Sequence, residues 1–385
     1  MFKIKLQNKI SPSGLEKFPS SLYQYNDEME CPDAILVRSA SMHDMELPKS
    51  VRAVARCGAG TNNIPLDKCA EAGIVVFNTP GANANAVKEL TLTGLLLSAR
   101  KISPAMKWAQ ELKGQGDSIP SLAEKGKGQF AGPELKGKTL GVIGLGAIGG
   151  MVCNAALHLG MKVYGYDPYL SVTSAWNLSR SIIQAKSYKE IYENCDFITL
   201  HVPLTSETKN MINSQSIAMM KHGVRIVNFS RGELVDNKDM IAAVEEKQVY
   251  CYVTDFATEE VLGNYGIIVL PHLGASTPES EENCAEMAAD ELREFLENGN
   301  IVNSVNLPNV QVDRMGLCRV TIIHKNSPGM IAQISSVVGG NIDNLTNKSR
   351  GDYAYTLLDL DASISDDALE KLKVIEGVIR VTVIN

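Results

Sequence analysis

The sequence predicts an α/β fold with two doubly wound domains built on parallel sheets, Rossmann-like and flavodoxin-like, and a small α+β domain after them. Through residues 1–300, short apolar runs such as Ala34–Val37 and Phe197–Leu200 alternate with helical stretches, which is typical of parallel strands joined by crossover helices. The alternation occurs twice, before about residue 98 and after about residue 138. After Pro308 the pattern changes, which indicates a third domain of another type.

The two series of elements define the first two domains. The strands expected in them are residues 34–37, 53–56 and 74–78, then 140–143, 162–166, 197–200 and 225–228. Another strand is expected in residues 1–10, where apolar residues alternate with lysines. Residues 113–137, rich in Gly, Lys and Ser, are expected to form a surface connection. We assign residues 1–98 and 276–310 to one domain and residues 99–275 to the other.

The third domain is expected over residues 315–385. Strand patterns at 317–323, 342–348, 353–359 and 378–384 and helical patterns at 328–338 and 365–372 follow one another in a βαββαβ order. That order is typical of a ferredoxin-like sandwich.

Composition disfavours several classes of function. The 385 residues have a net charge of −7 and no run of Lys and Arg, which disfavours a nucleic-acid partner. The longest apolar stretch, residues 90–99, is too short to span a bilayer, and the first ten residues lack a signal-peptide pattern, so we expect a cytoplasmic protein without membrane contact. The eight cysteines are at least twelve residues apart and the six histidines form no HExxH pattern, so we expect no metal site.

A glycine-rich loop follows the strand at 140–143. Gly144, Gly146 and Gly149 form a GxGxxG motif that leads into a helix, and the next strand ends at Asp167. Glycines at these positions allow a tight turn and bring a pyrophosphate close to the helix N-terminus. A carboxylate at the end of the second strand accepts hydrogen bonds from the adenosine ribose and repels a 2′-phosphate. The motif predicts NAD rather than NADP, and the alternative is a nucleotide-free loop with a chance acid nearby.

Three further stretches carry a resemblance to a known family. They are residues 228–236 (NFSRGELVD), 254–260 (TDFATEE) and 271–277 (PHLGAST). Together with the glycine loop they resemble, in order, the signatures of the D-isomer-specific 2-hydroxyacid dehydrogenases, over about residues 30–310. The resemblance implies three catalytic residues, Arg231, Glu259 and His272.

The oxidation of a hydroxyacid suits these residue types. The imidazole of His272 can take the hydroxyl proton near neutral pH, and a carboxylate beside it favours the protonated ring. The guanidinium of Arg231 can bind the substrate carboxylate through its planar fork. The alternative for an isolated Arg or Pro-His pair is a surface ion pair or a turn.

The glutamate is less simply matched. The family usually has an Asp two positions before the Phe, whereas here that position is Thr254 and the acid is Asp255. Matching on Phe256 selects Glu259, and matching on the acid would select Glu260. Which of the two glutamates pairs with the histidine stays open at the level of sequence.

The resemblance also implies a set of residues around the cofactor. His201 begins a His-Val-Pro-Leu turn after a strand and matches a turn that lines the cofactor in the family. The residues expected at the cofactor are Gly144, Gly146, Ala147, Ile148, Gly149, Asp167, His201, Val202, Pro203, Thr208, Asn228, Phe229, Ser230, Asp255 and Gly274.

Two strand ends in the first domain indicate an anionic substrate. Arg38 and Arg56 lie at the carboxyl ends of neighbouring strands, where open parallel sheets bind ligands, and the glycines after Arg56 let backbone amides face an anion. Asn83 matches a positioning Asn of the family. The residues expected at the substrate are Arg38, Ser39, Arg56, Gly58, Ala59, Gly60 and Asn83. An ion pair at a domain interface is the alternative for Arg38.

The C-terminal domain resembles an ACT domain, a ligand-sensing module, at residues 323–329 (IHKNSPG). The resemblance implies that His324, Asn326 and Asn344 bind an amino-acid effector, for which L-serine is the expected ligand. The alternatives are that the asparagines form ordinary turns and that the module serves assembly only.

These features favour an enzyme that uses NAD to oxidise D-3-phosphoglycerate to 3-phosphohydroxypyruvate, the first step of L-serine synthesis. Within the family the alternative substrates are glycerate, hydroxypyruvate and 2-hydroxyglutarate. Outside enzymes, the alternative is an NAD-sensing, corepressor-like binding protein of the same fold. We expect the enzyme to be a homodimer or homotetramer.

Overall fold

The structure, a computed structural model, describes residues 1–384. Its contacts divide the chain into two compact units: residues 1–83 with the segment that begins at Pro278, and residues 84–277. Each unit contains a sheet of parallel strands, as the sequence predicts. Among the described residues, no helix is both long enough and apolar enough to cross a membrane.

The first unit opens with a parallel sheet. Its strands are β1 (Phe2–Gln7), β2 (Tyr23–Asn26), β3 (Ala34–Val37), β4 (Ala53–Arg56) and β5 (Val75–Asn78), in the order β2-β1-β3-β4-β5, with helices α1 (Pro12–Leu15) and α2 (Leu66–Glu71) between them. Side chains alternate along β3, so Leu36 packs into one buried cluster while Ile35 and Val37 pack into another on the opposite face. Burial on both faces explains the unbroken apolar runs of the sequence.

The second unit is built around a longer parallel sheet. Its strands are β6 (Thr139–Ile143), β7 (Lys162–Tyr166), β8 (Ile183–Gln184), β9 (Phe197–Leu200), β10 (Val224–Asn228), β11 (Val249–Thr254) and β12 (Ile267–Val269). Its helices are α3 (Ala84–Ala99), α4 (Ile102–Glu111), α5 (Ile119–Gly126), α6 (Ala147–His158), α7 (Val172–Trp176), α8 (Tyr188–Asn194), α9 (Ser214–Ala218) and α10 (Asn237–Glu245). The strand order β12-β11-β10-β9-β6-β7-β8 reverses direction between β6 and β9. Ligands of such sheets bind beyond the carboxyl ends of the strands at this reversal.

Helix α3 belongs to the second unit, which begins at Ala84, whereas the sequence places a domain boundary at residue 98. Leu95 and Ala99 share a buried cluster with Val142 and Val227 of the second sheet. Gly94 permits the close approach, because a Cβ there would lie 3.0 Å from a side-chain carbon of Val227. An apolar helix between two sheets does not reveal from its own sequence which sheet it covers.

The segment 113–137 is largely exposed, with Leu135 buried in the second unit, and it is partly helical. It contains α5 and two short 3₁₀ turns, and α4 precedes it. None of the residues of α4 or α5 is buried. The rings of Trp108 and Phe130 lie 5.3 Å apart, and this local contact holds the segment together. Because the segment is rich in Gly and Lys, its composition did not indicate these helices.

The chain returns to the first unit with the long helix α11 (Pro278–Asn298). The remaining elements are β13 (Cys318–Lys325), α12 (Met330–Val338), β14 (Ile342–Arg350), β15 (Tyr353–Leu360), α13 (Asp366–Lys373) and β16 (Val378–Ile384). The strands pair antiparallel in the order β14-β15-β13-β16, so the predicted βαββαβ succession is present.

The two faces of this antiparallel sheet are covered by different parts of the chain. On one face, Val320 and Ile322 of β13 pack with Ile334 of α12. On the other face, Ile323 and Tyr355 share a buried cluster with residues of α11. The C-terminal sheet therefore has a core of its own on one face and shares a core with the first unit on the other.

Candidate active site and cofactor site

The glycine loop connects β6 to α6 at the reversal point of the second sheet. Gly144 has a φ of 92°, and a Cβ there would collide with the carbonyl oxygen of His201. A Cβ at Gly149 would collide with the carbonyl of Gly144, so helix and loop pack as closely as glycine allows. At Gly146, the N-cap of α6, a Cβ would meet nothing within 4 Å, and no side chain caps the helix. The first turn, including Ala147 and Ile148, thus presents uncapped amides to open space, as a pyrophosphate requires.

Asp167 lies directly after β7 and is fixed beside this loop. Its Oδ2 accepts a hydrogen bond from the amide of Leu145 (2.9 Å), and its Oδ1 accepts one from the amide of Tyr169 (2.8 Å). The side chain is half-buried, and each carboxylate oxygen keeps a further lone pair. The position fits a carboxylate that receives the hydroxyls of a ribose.

His201 follows β9 on the other side of the reversal point. Its Nε2 lies 3.1 Å from the hydroxyl of Thr199, and its buried Nδ1 has no partner among the described residues. Burial lowers the pKa of His201 to about 4, so the ring is neutral. In the turn after it, the Thr208 hydroxyl donates to the Pro203 carbonyl (2.6 Å), and Val202 packs partly buried on the core. The unsatisfied ring nitrogen suits a ligand on this face.

The segment after β10 holds Arg231 by its backbone. The buried Asn228 donates to the Arg231 carbonyl (2.8 Å) and accepts from the Ser230 amide (3.1 Å). The Ser230 hydroxyl donates to the Leu200 carbonyl (2.7 Å), and Phe229 is buried in the core of the unit. The Arg231 side chain is exposed, with its Nη1 on the Ser230 carbonyl (2.6 Å). The backbone of Arg231 is thus fixed, while its guanidinium is exposed and can bind an anion.

His272 is held next to a buried carboxylate. Its amide donates to the Asp255 carbonyl (3.1 Å), and its ring meets the Phe256 ring edge-on at 5.3 Å. Asp255 is 2% exposed; its Oδ2 accepts from the Gly274 amide (3.3 Å), and its Oδ1 has no partner in the described chain. Burial raises the pKa of Asp255, and the charge of His272 opposes that rise. Like the Nδ1 of His201, this oxygen is a buried polar atom without a hydrogen-bond partner among the described residues.

A cavity of about 780 Å³ opens in this unit beside His272. Asp255, Phe256 and Glu260 line it together with the histidine, and so does Gly232, the residue after Arg231. Glu259 is exposed and is not one of the described residues that line the cavity. Glu260 is exposed as well, so its place in the lining of the cavity is what distinguishes it from Glu259 among the described residues.

The residues expected at the substrate lie in the first unit, at the ends of β3 and β4. Arg38 is paired with Glu281 of α11 at 2.5 Å, so an ion pair engages it, although within one unit rather than at an interface between domains. The Arg56 Nε donates to the Asn63 side chain (3.2 Å). The Asn63 amide also donates to the Ala40 carbonyl (2.8 Å), which ties the two strand ends together.

The other residues of this set lie in the loops that follow β3, β4 and β5. Gly58 has a φ of 151°, and its carbonyl accepts from the amide of Thr79 (3.2 Å). The Ser39 amide donates to the Asn8 side chain (3.2 Å). Ala59 and Gly60 are half-buried in the same loop, and Asn83 ends the first segment of the unit.

His324 does not fit the predicted effector role. It is 2% exposed, its Nε2 lies 2.8 Å from the Thr356 hydroxyl, and its Nδ1 lies 2.8 Å from the Lys325 carbonyl. Both ring nitrogens are therefore engaged inside the sheet. Asn326 is exposed and donates to the Gly351 carbonyl (3.2 Å). The Nδ2 of Asn344 is buried, and the Asn344 side chain lies beside the carboxylate of Asp359.

Comparison with protein families gives one match. Residues 92–276 match the D-isomer specific 2-hydroxyacid dehydrogenase, NAD binding domain. The match spans the glycine loop, Asp167 and the His272 turn. The second unit is therefore an NAD-binding domain of this family.

Curated relatives carry a consistent description. A D-3-phosphoglycerate dehydrogenase of Synechocystis is 34% identical over 84% of this chain and 57% of the relative. A putative D-3-phosphoglycerate dehydrogenase of Schizosaccharomyces pombe is 33% identical over 93% of this chain and 82% of the relative. For the relatives from Synechocystis, Methanocaldococcus jannaschii and Bacillus subtilis, this chain spans only 57–63% of their length.

Solved structures agree on the fold and lead to the same family. An NAD⁺-bound 3-phosphoglycerate dehydrogenase of Entamoeba histolytica matches with a TM-score of 0.59 at 27% identity, over 79% of this chain and 98% of the other. A glyoxylate reductase of Paecilomyes thermophila matches with a TM-score of 0.65 at 25% identity, over 79% and 98%. On the glycine loop, the His272 turn, the NAD-binding match and the relatives at about a third identity, this chain belongs to the D-isomer-specific 2-hydroxyacid dehydrogenases.

Proposed function

We propose that this protein catalyses the NAD-dependent oxidation of D-3-phosphoglycerate to 3-phosphohydroxypyruvate, the first step of L-serine synthesis. The observation that carries the proposal is the cavity in which His272, Glu260 and the buried Asp255 meet within an NAD-binding domain. The relatives named as D-3-phosphoglycerate dehydrogenases support this substrate among the hydroxyacids.

The described residues fit NAD. Gly144 and Gly149 leave no room for a side chain, Gly146 faces open space, and Asp167 stands where it can receive the ribose and repel a 2′-phosphate. The buried Nδ1 of His201 and Oδ1 of Asp255 offer further polar contacts. When bound, NAD supplies the acceptor for the hydride that leaves the hydroxyl-bearing carbon.

His272 acts as the base that removes the hydroxyl proton. We assign its partner as Glu260 rather than Glu259, because Glu260 lines the same cavity. A carboxylate near the ring favours the imidazolium that forms when the proton arrives. Arg231, fixed through Asn228 and Ser230, binds the substrate carboxylate. In the same proposal Arg56 and Arg38 supply charge for the phosphate, with Arg38 shared with Glu281.

The test is a comparison of kcat/KM across hydroxyacids with NAD. We expect D-3-phosphoglycerate to be preferred over D-glycerate and D-2-hydroxyglutarate, because only it satisfies a carboxylate site and a phosphate site together. If glycerate or 2-hydroxyglutarate is preferred, the proposed substrate is wrong and the proposed type of reaction stands. NAD binding without turnover of any of the three would favour the corepressor-like alternative.

We also propose an ACT domain of ferredoxin-like fold over residues 315–385, supported by the βαββαβ succession and the strand order β14-β15-β13-β16. L-Serine is its proposed effector, with Asn326 and Asn344 as contacts and without His324, whose nitrogens are engaged. Calorimetric titration of serine into the intact protein and into Asn344→Ala tests this. If millimolar serine produces neither heat nor inhibition, serine is not the effector of this module.

For the assembly, we propose a homodimer or homotetramer in the cytoplasm. Helices α4 and α5 bury none of their residues, and Met106 is 64% exposed on α4. Exposed apolar surface of this kind is typical of an interface. Light scattering of the protein and of Met106→Glu tests the proposal, and a monomeric wild type would contradict it.

A further inference from the structure

Helix α11 lies between two sheets of the first unit. On one side it packs on the parallel sheet, where the rings of Phe77 and Phe295 lie 5.8 Å apart. On its other side, Ile323, Tyr355 and Leu357 of the C-terminal sheet join the same buried cluster. The helix is therefore clamped from both sides, and the C-terminal sheet forms one of the two walls.

The C-terminal end of α11 is held by a buried arginine. Arg319 and Asp359 are both fully buried and paired in a fork, with Nε to Oδ1 at 2.6 Å and Nη2 to Oδ2 at 2.8 Å. The remaining Nη1 donates to the carbonyl of Asn298, the last residue of α11, at 2.8 Å, and to that of Val312 at 3.2 Å. The last carbonyls of a helix lack partners within it and carry partial negative charge, so a cation there is stabilising.

A second contact reinforces the same helix end. The buried hydroxyl of Tyr355 donates to the carbonyl of Gly299 at 2.6 Å. Two side chains of the C-terminal sheet thus bind successive carbonyls where α11 ends. Because the direction of each hydrogen bond is fixed, this end of the helix has one position relative to the sheet.

The other end of α11 reaches the candidate substrate residues. Glu281, in the first turn, pairs with Arg38 at the end of β3. The 21 residues of the helix span about 30 Å, and a helix packed on both sides moves as a rod. The helix therefore connects Asn298 to Glu281 through a single packed element.

We propose that Arg319 is a positioning residue for the reaction: by fixing the end of α11 it sets where Glu281 holds Arg38, and hence the affinity for the substrate. The C-terminal module is then a permanent brace of the substrate-binding unit as well as a sensor. The link to substrate affinity rests on the proposed function, because it takes Arg38 as a phosphate contact, whereas the bracing of α11 does not.

The alternative is that the Arg319–Asp359 pair only fills the core. A buried ion pair contributes little net stability compared with apolar residues of similar volume, while removal of one partner leaves a buried charge and is strongly destabilising. The double variant Arg319→Met/Asp359→Leu therefore separates the two roles. It restores a filled core but has no donor for the Asn298 carbonyl.

The experiment compares Arg319→Met, the double variant and a control, Arg314→Met. Arg314 also donates to carbonyls, those of Leu317 and Ile384, and both of these lie outside α11. We expect the double variant to unfold near the wild-type temperature while its KM for D-3-phosphoglycerate rises at least about fivefold, with kcat within about twofold and NADH affinity unchanged. The control keeps the wild-type KM. Arg319→Lys retains a donor, so its KM for D-3-phosphoglycerate should lie between those of Arg319→Met and the wild type.

A second measurement does not depend on activity. Hydrogen exchange of residues 292–298 reports the end of α11 directly, and we expect faster exchange in the double variant than in wild type or Arg314→Met. A double variant with wild-type KM and wild-type exchange overturns the proposal, even if Arg319→Met alone fails to fold. If the wild type does not turn over D-3-phosphoglycerate, the proposed function fails, and faster exchange still supports the brace.

Discussion

At the scale of single residues, the candidate site contains buried polar side chains in which one atom has no hydrogen-bond partner among the described residues. Asp255 has one oxygen on the Gly274 amide and one without a partner, and His201 has one nitrogen on Thr199 and one without. Buried polar atoms are normally paired, so unpaired ones need an explanation. In the proposed function, these two atoms are contacts for the bound cofactor, and the predictions for single residues start from that proposal.

The first of these concerns the base. Replacement of His272 by Asn removes the proton acceptor but keeps a polar side chain of similar reach, so we expect kcat to fall about 10²- to 10⁴-fold, with NADH affinity nearly unchanged. Steady-state kinetics and a fluorescence titration with NADH measure the two quantities. Near-normal turnover of the variant would remove His272 from the mechanism.

A matched pair of variants decides between the two glutamates. Glu260→Gln removes a carboxylate from the cavity of His272, so the imidazolium that forms in the reaction loses its stabilisation and kcat/KM should fall, with NADH affinity unchanged. Glu259→Gln, one residue away and outside the described lining of the cavity, is the control and should keep the wild-type kcat/KM. The reverse pattern would restore Glu259 to the role.

Cofactor choice depends on Asp167. Asp167→Ala removes the carboxylate that receives the ribose, and the amide of Leu145 loses its acceptor, so NAD should bind less tightly and the preference over NADP should narrow. Dissociation constants for NADH and NADPH in both proteins measure the change. A wild type that already prefers NADPH would show that our interpretation of Asp167 is wrong.

At the scale of elements, strands were easier to predict than helix partners or register. Strands β3, β7 and β9 have the predicted bounds, because burial on both faces leaves continuous apolar runs that end abruptly. The assignment of α3 to a domain could not be predicted, since its apolar face fits either sheet. The choice between Glu259 and Glu260 could not be made from the sequence, because matching on Phe256 and matching on Asp255 select different glutamates. Of these two anchors, Asp255 is buried, and its carboxylate accepts a hydrogen bond from the Gly274 amide.

The site was predicted in the same uneven way. The glycine loop and Asp167 follow from local rules, because turn, helix start and strand end are contiguous in sequence. The burial of His324 could not be deduced, because its partner Thr356 lies on β15, thirty-two residues away. Nor could the pairing of Arg38, whose partner Glu281 is far along the chain.

Helix α11 carries a buried carboxyl whose titration affects stability. Glu291 is 6% exposed; its Oε1 accepts from Asn303 (2.7 Å), and its Oε2 has no partner among residues 1–384. Burial raises the pKa of Glu291 from 4.5 to about 8. Between these two values the folded protein holds a proton that the unfolded chain has lost, so the free energy of unfolding falls as the pH rises.

Glu291→Gln should remove this dependence. We expect the wild type to lose on the order of 3 kcal/mol between pH 5 and pH 9, while the variant loses less and is the more stable of the two at high pH. Denaturant unfolding at several pH values measures the slope, and Glu282→Gln, an exposed position on the same helix, is the control. Equal slopes in wild type and Glu291→Gln would show that the carboxyl is not buried as described.

At the scale of the whole molecule, the chain starts in one unit, completes the second, and returns to the first through α11. The C-terminal sheet has a core of its own on one face and joins the core of the first unit on the other. The contacts therefore group the chain into two units, whereas the sequence predicts three domains. The consequence is thermodynamic: stability should divide between two units rather than among three domains.

Calorimetry tests this division. We expect two unfolding transitions in the intact protein, and NADH at about 100 times its Kd should stabilise the unit of residues 84–277 by about 2.7 kcal/mol and raise one transition only. A chain that ends after Arg314 loses the wall formed by Ile323, Tyr355 and Leu357, so the other transition should drop sharply or disappear. NADH binding should survive the truncation, because the cofactor residues all lie in the second unit. A truncated chain with both transitions unchanged would mean that the C-terminal sheet is an independent module, as the sequence first predicted.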